Sequence, residues 1–226
     1  MQMAILIRSL YVGDISGKKM NQLKDKVILI TGAGKGAGRA LALAFAEHGA
    51  LIAANDISPV NVEEVVAQII AHGGKAKAYI EDVAKKVGVQ YLVKSVEDDF
   101  GKIDILINHA AVEPHMPLLN MDEWDWHRTL DVNLTGMFLT MQSVGRIMRE
   151  RGRGAILNIV AGTGESAKKD AGAYLSSKAG AVVLSQQADR ELSPHGIRVY
   201  AVENSANVIN DVMSTLEAWR RNEGIA

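Results

Sequence analysis

Short apolar runs alternate along the chain with longer segments in which apolar residues recur every three or four positions. The short runs predict strands buried on both faces of a sheet, because a half-exposed strand would alternate apolar with polar residues. The longer segments predict amphipathic helices, and several end at a glycine, as at Gly49, Gly73 and Gly101. The predicted strands are 27–30, 51–55, 76–80, 103–107, 155–160 and 197–202, and the predicted helices are 40–48, 62–72, 87–100, 121–151 with a bend near Asp131, 174–192 and 212–221.

This alternation predicts an α/β fold of three layers, in which a doubly wound parallel sheet carries helices on both faces. Because crossovers between parallel strands are right-handed, we expect the Rossmann-type strand order 3-2-1-4-5-6. A ligand of such a sheet binds beyond the carboxyl ends of the strands, where the strand order reverses. Residues 1–19 precede this pattern, and we expect them to form a poorly ordered N-terminal extension.

Composition narrows the possible partners and environments. A formal net charge of -1 gives no general attraction to nucleic acid or to an anionic membrane. The absence of cysteine excludes disulfides and thiolate metal sites, and no apolar run reaches the roughly 18 residues of a membrane span. We therefore expect a cytoplasmic protein that binds neither nucleic acid nor membrane. Three histidines near the predicted cleft, His109, His115 and His127, lack metal-ligand spacing, so we expect no metal and interpret them as ordinary polar residues.

A glycine-rich turn connects the first predicted strand to the first predicted helix. Glycines permit a tight turn and let backbone N–H groups approach a diphosphate, while the helix N-terminus adds partial positive charge. A glycine-rich turn alone is a weak signal, but a strand before it, a helix after it and an acid further along strengthen it. The residues predicted to hold the cofactor phosphates are Gly32, Gly34, Lys35, Gly36, Ala37 and Gly38.

That acid is Asp56, at the end of the second predicted strand and 18 residues after Gly38. A carboxylate there can accept hydrogen bonds from ribose hydroxyls and would repel a 2′-phosphate, which favours NAD(H) over NADP(H). Lys35 acts in the opposite direction, because a cation near the turn attracts that phosphate. A second interpretation, in which Asp56 only caps a turn before Ser58-Pro59, stays open.

Four more motifs follow the turn in order: Glu81-Asp82-Val83, Asn108-His109-Ala110-Ala111, Asp131-Val132-Asn133 and a Y-x-x-x-K pattern from Tyr174 to Lys178. With the T-G-x-x-x-G-x-G turn, they make the chain over about residues 23–202 resemble the short-chain dehydrogenase/reductase family. The resemblance implies a single dinucleotide-binding catalytic domain over residues 20–226 and a homodimer or homotetramer built on the two long helices. It also implies further cofactor-binding residues, namely Asp82, Val83, Asn108, Ala110, Tyr174 and Lys178.

The resemblance further implies a catalytic set of Asn133, Tyr174 and Lys178. Tyr174 and Lys178 are four residues apart and so share one helix face. A free tyrosine has a pKa near ~10, and a neighbouring ammonium lowers the pKa of the phenol. In the implied reaction Tyr174 exchanges a proton with a small alcohol or ketone substrate while a hydride moves to or from the nicotinamide. Lys178 would also hold the nicotinamide ribose, and Asn133 a water linking Lys178 to solvent.

The sequence departs from the family pattern at the active-site serine. The serine is typically thirteen residues before the tyrosine, and that position is Ala161. Loss of one such hydrogen-bond donor typically costs on the order of 10²–10³ in rate. Thr163 or Ser166 can substitute for it only if the loop is reshaped.

The other departures follow the sixth predicted strand. Asn204-Ser205 stands where the family usually has Pro-Gly, and Ile209 or Asn210 replaces the usual threonine. We also expect the family's seventh strand to be missing. Two hypotheses therefore remain open: an active NAD-dependent oxidoreductase, and a catalytically weak or silent NAD(H)-binding protein. The turn lacks the Lys-Ser or Lys-Thr of a P-loop, which disfavours that class.

Overall fold

A computed structural model of the chain describes residues 23–162 and 169–222. Its centre is a six-stranded sheet in the order β3-β2-β1-β4-β5-β6, with every neighbouring pair parallel. This confirms the predicted fold class and strand order. The extension predicted over residues 1–19 lies outside the described residues. The strands are β1 (Val27–Thr31), β2 (Leu51–Asp56), β3 (Lys75–Ile80), β4 (Ile105–Asn108), β5 (Gly154–Val160) and β6 (Ile197–Glu203).

Helices connect these strands on both faces, and five of them begin earlier than predicted, the first and the last by four residues each. The first helix starts at Gly36, inside the glycine turn, because the second half of the turn already forms helical hydrogen bonds. The last starts at Val208, four residues earlier than expected; in the turn before it the Ser205 hydroxyl accepts the Asn207 N–H at 3.0 Å and donates to the Asp211 carboxylate at 2.7 Å. The helices are α1 (Gly36–Glu47), α2 (Pro59–Ala71), α3 (Lys86–Phe100), α4 (Glu123–Leu130), α5 (Gly136–Glu150), α6 (Gly172–Leu192) and α7 (Val208–Asn222).

The bend predicted near Asp131 is a π-helical turn. Residues Asp131–Thr135 form it between α4 and α5, so the single helical region predicted over 121–151 is two α-helices joined by a wider turn. A π-turn inserts one extra residue per turn and is often found at functional sites. Here it carries Asn133, which is 2% exposed.

Two apolar layers hold the helices to the sheet. Alternate residues of β1 face opposite sides: Ile28 and Ile30 pack towards α1, α2 and α7, whereas Val27 and Leu29 pack towards α3, α5 and α6. Each such fully buried side chain contributes about 1.5–3 kcal/mol relative to exposure. The parallel pairing of β1, β4 and β5 brings their carboxyl ends together at one edge of the sheet. In the described part of the chain, no helix is long and apolar enough to span a membrane.

Candidate active site

A cleft opens at the carboxyl ends of the neighbouring strands β1 and β4. This is the point at which the strand order reverses, so it is where a doubly wound sheet binds its ligand. Residues from all five sequence motifs meet there. The lining residues are Thr31, Val83, Asn108, Ala110, Val132, Asn133, Gly136, Met137, Ile159 and Lys178.

Backbone geometry requires glycine at several positions of the turn. Gly32 and Gly36 have positive φ angles of 68° and 56°, which side chains rarely tolerate. A Cβ on Gly38 would lie 2.1 Å from the Gly32 carbonyl oxygen. Lys35 and Gly36 are exposed at the start of α1, and Ala37 follows in its first turn. The first N–H groups of a helix have no partner within the helix, so the shape of this turn suits a phosphate group.

Asp56 lies directly beside the turn and is 9% exposed. Its Oδ2 accepts the Gly34 N–H at 2.9 Å, and its Oδ1 accepts the Ser58 N–H at 3.0 Å. Both interpretations of Asp56 therefore have a physical basis: it touches the phosphate turn, and it also caps the segment before α2. A Cβ on Gly34 would lie 2.8 Å from the same Oδ2, so the carboxylate sits where a larger residue would clash.

Lys178 and Tyr174 lie on the first turns of α6, and Lys178 lines the cleft. Both are nearly buried, at 6% and 4% exposed. The Lys178 ammonium donates a hydrogen bond to the Ile159 carbonyl at 2.8 Å, and it lies 5.8 Å from the centre of the Tyr174 ring. The helical spacing thus brings a cation to the phenol, as the motif predicts, and the end of β5 fixes the position of that cation.

Asn133 connects the π-turn to this pair. Its Nδ2 donates to the Ser177 hydroxyl at 3.0 Å and to the Val112 carbonyl at 2.9 Å, while its Oδ1 accepts the Val112 N–H at 2.8 Å. The Ser177 hydroxyl in turn donates to the Tyr174 carbonyl at 2.6 Å. Ser177 is completely buried and was not among the predicted site residues, because its role depends on how α6 packs against the π-turn.

A chain of buried amides and hydroxyls lies beneath the cleft. Thr140 donates to Asn108 at 2.7 Å, Asn108 donates to Asn158 at 2.9 Å, and Asn158 donates to Ser185 at 2.9 Å. Buried polar groups are costly unless they are paired, and these are. The chain joins α5, β4, β5 and α6, so Asn108 acts here as an internal connection between the elements that carry the site.

Asp82 and Val83, two of the predicted cofactor-binding residues, lie in different surroundings. Val83 is 6% exposed and lines the cleft, with its side chain 3.1 Å from the position that a Cβ on Gly136 would occupy. The Asp82 carboxylate instead accepts the Ala84 N–H at 2.9 Å and lies 3.3 Å from Arg128 of α4.

The residues that depart from the family pattern lie after β5 and after β6. Ala161 directly follows β5 and is partly buried, whereas Thr163 and Ser166 lie outside the described residues. Only residues 204–207 connect β6 to α7. Ile209 packs against the core and Asn210 is exposed.

His109, expected from the sequence to be an ordinary polar residue, lies against the glycine turn. Its ring lies within the glycine turn, with Nδ1 3.1 Å from the Gly32 carbonyl oxygen. Burial and the nearby Lys178 ammonium hold the pKa of His109 below its ordinary value of 6.5, against the effects of the Gly32 carbonyl and the Asp56 carboxylate. Among the described residues, no group of acidic or histidine side chains has the arrangement of a metal site.

Curated relatives and solved structures resemble this chain over most of its length. It is 37% identical to the 3-oxoacyl-[acyl-carrier-protein] reductase of Synechocystis sp. over 81% of this chain and 74% of the relative. It is 39% identical to the D-threitol dehydrogenase of Mycolicibacterium smegmatis over 80% of this chain and 70% of the relative.

Solved structures match the fold. NAD+-bound xylitol dehydrogenase matches with a TM-score of 0.78 and 35% identity, over 81% of this chain and 71% of that one. A metagenomic short-chain oxidoreductase in complex with NADP matches with a TM-score of 0.80 and 29% identity, over 86% of this chain and 91% of that one. The family described as short chain dehydrogenase matches residues 26–219. With its fold, its cleft and its motifs in register, this chain belongs to the short-chain dehydrogenase/reductase family of oxidoreductases.

Proposed function

We propose that the protein is an NAD(H)-dependent oxidoreductase that interconverts a small secondary alcohol and the corresponding ketone. The observation that carries the proposal is the pairing of Tyr174 with the Lys178 ammonium across the cleft from the glycine turn and Asp56. The relatives whose names describe a threitol and a xylitol dehydrogenase support the alcohol substrate class.

The residues around the cleft fit a nicotinamide dinucleotide. The glycine turn accommodates a diphosphate at the α1 N-terminus, and Asp56 provides a carboxylate for ribose hydroxyls. Lys178 has its ammonium at the cleft lining, where it can hold the second ribose. When bound, the dinucleotide supplies hydride transfer, which no side chain can perform.

We favour NAD(H) over NADP(H) on the charge next to the turn. The Asp56 carboxylate would repel a 2′-phosphate, and Arg39, a potential phosphate ligand on α1, is paired with Glu64 at 2.9 Å. Lys35 is exposed at the turn, and its positive charge favours NADP(H) because it attracts the 2′-phosphate. We expect the buried carboxylate to dominate, because charges that are screened less by water interact more strongly.

Tyr174 is the proposed proton donor and acceptor. The Lys178 ammonium, 5.8 Å from the centre of the Tyr174 ring, is the cation proposed to assist proton transfer at the tyrosine hydroxyl. Lys178 is itself held by the Ile159 carbonyl, so its charge stays at the site. Asn133 fixes the backbone of the tyrosine through Ser177, and the water that we expect beside Asn133 would pass protons to solvent.

A catalytically weak NAD(H)-binding protein is the second candidate. Ala161 favours it, because alanine cannot donate the hydrogen bond that the family's serine gives to the reacting oxygen. The four-residue connection from β6 to α7 also gives the substrate side little wall.

Turnover separates the two candidates. The purified protein is mixed with NAD⁺ and a panel of four- and five-carbon polyols and simpler secondary alcohols, and absorbance of reduced nicotinamide is followed. We expect turnover with at least one alcohol, and a fall of roughly 10²–10⁴ in kcat for Tyr174→Phe. Tight NADH binding without turnover on any alcohol or ketone would favour the silent protein.

We also propose a homodimer or homotetramer assembled on α5 and α6. Phe138 on α5 and Val183 on α6 are large apolar residues that are 42% and 65% exposed. Light scattering after gel filtration should give two or four times the monomer mass, and Val183→Glu should lower it. A monomeric parent protein at micromolar concentration would contradict this assembly.

A further inference from the structure

One histidine ring occupies the inside of the phosphate turn. The backbone N–H of His109 donates to the Thr31 hydroxyl at 3.2 Å, which places the residue against the end of β1. The ring Nδ1 lies 3.1 Å from the Gly32 carbonyl oxygen. A carbonyl oxygen only accepts hydrogen bonds, so Nδ1 carries the hydrogen in this contact.

The glycines of the turn leave the space that this ring fills. A Cβ on Gly38 would lie 2.7 Å from Nδ1, and a Cβ on Gly32 would lie 3.1 Å from it. Both distances are shorter than ordinary van der Waals contact. Gly32 and Gly38 therefore accommodate the imidazole as well as the bend of the chain.

The histidine holds one end of the peptide group that joins Gly32 to Ala33. In a trans peptide the C=O and the following N–H point in opposite directions. The Gly32 carbonyl accepts from His109 on one side, and the Ala33 N–H donates to the Asn55 carbonyl at 2.8 Å on the other. The peptide plane is thus clamped between the segment after β4 and strand β2.

We infer that His109 is a positioning residue that orders the glycine turn for dinucleotide binding by donating from Nδ1 to Gly32. This inference rests on the proposed function and adds a residue to its cofactor site. Without the donor, the partly buried carbonyl loses its partner, and the turn has to be ordered when the dinucleotide binds. The ring acts through this hydrogen bond rather than through charge, since burial and Lys178 keep its pKa low.

Three variants test the role of the donor. His109→Leu keeps an apolar side chain of similar bulk but cannot donate. His109→Asn keeps a donor, because the amide Nδ2 occupies the same place along the side chain as Nδ1. His72→Leu is the matched control: its Nδ1 also lies 2.7 Å from a carbonyl oxygen, that of Gln68, but at the exposed end of α2 away from the cleft.

The readouts are NADH affinity, measured by energy transfer from tryptophan, and thermal unfolding. We expect His109→Leu to weaken NADH binding on the order of tenfold, while His109→Asn and His72→Leu stay within about twofold of the parent. The kcat at saturating cofactor should be unchanged in His109→Leu, so that the loss appears in KM for the dinucleotide. If the leucine variant fails to fold, His109→Ala removes the same donor with a smaller side chain.

Two results would overturn the inference. One is parent-like NADH affinity in a folded variant without the donor, and the other is an asparagine variant that loses as much affinity as the leucine variant. A parent protein that binds no nicotinamide dinucleotide defeats the proposed function itself and the inference with it. Binding by the parent with no effect at position 109 defeats the inference alone.

Discussion

Asn133 holds together the π-turn, the segment after β4 and the helix that carries Tyr174, and replacing it by alanine tests these connections. The side chain makes three hydrogen bonds, two to the Val112 backbone and one to Ser177. At about 0.5–1.5 kcal/mol net for each bond, their loss should lower the free energy of unfolding by about 2–4 kcal/mol. Asn133 is 2% exposed, so water cannot fully replace the lost partners.

Urea unfolding followed by tryptophan fluorescence measures this change, with a constant m-value showing that the transition stays two-state. Asn120→Ala is the control, since Asn120 is exposed on the segment between β4 and α4, and it should shift stability by less than about 0.5 kcal/mol. Asn133→Asp retains the acceptor for the Val112 N–H but places a buried carboxylate oxygen against the Val112 carbonyl, so we expect a loss at least as large as that of Asn133→Ala. If the free energy of unfolding of Asn133→Ala lies within about 0.5 kcal/mol of that of the parent, the three hydrogen bonds do not hold the site together.

Three further predictions address the serine position, the turn and acid stability. Ala161→Ser should raise kcat by up to about 10²–10³ if the loop admits the hydroxyl, and an unchanged kcat would contradict that expectation. Gly34→Ala should weaken NADH binding, because its Cβ would lie 2.8 Å from the Asp56 carboxylate, and parent-like affinity would contradict the geometry. Burial opposes ionisation of Asp104, but hydrogen bonds from Lys102 and the Val27 N–H prevail and hold its pKa below the ordinary 3.8. A depressed carboxyl pKa gives stability that is present above pH 3.8 and lost as pH falls through the lower native value. Asp104→Asn should therefore lower the free energy of unfolding by about 1–3 kcal/mol at pH 7. The free energy of unfolding of the variant should also fall less than that of the parent on acidification. Parallel curves of unfolding free energy against pH for parent and variant would refute this assignment.

The fold could be predicted from sequence because its strongest constraints are local. Buried parallel strands need continuous apolar runs, and glycines mark the ends of helices. The order of strands and helices can therefore be predicted from the sequence. The motif residues could be placed at one edge because parallel strands all end there. Asn108, Lys178 and Thr31, the first residue of the glycine turn, consequently line one cleft.

The remaining details depend on contacts between segments distant in sequence. The ring of His109 reaches Gly32 only because β4 pairs beside β1, 77 residues away. Ser177 gains its role from the packing of α6 on the π-turn, and the π-turn itself has no sequence signature beyond the bend expected near Asp131. The start of α1 was predicted too late because glycine has low helix propensity, yet the turn needs glycine at Gly36 for its positive φ.

The affinities of the parent protein and of Asp56→Asn for NADH and NADPH test most directly whether the carboxylate beside the glycine turn selects the dinucleotide. The substitution keeps one oxygen that can accept the Gly34 N–H and removes the charge, but it also replaces the oxygen that accepts the Ser58 N–H by an amide NH2. We predict that the parent binds NADH at least about tenfold more tightly than NADPH, and that the difference shrinks in the variant. Equal affinity of the parent for both nucleotides, or binding of neither, would contradict the account.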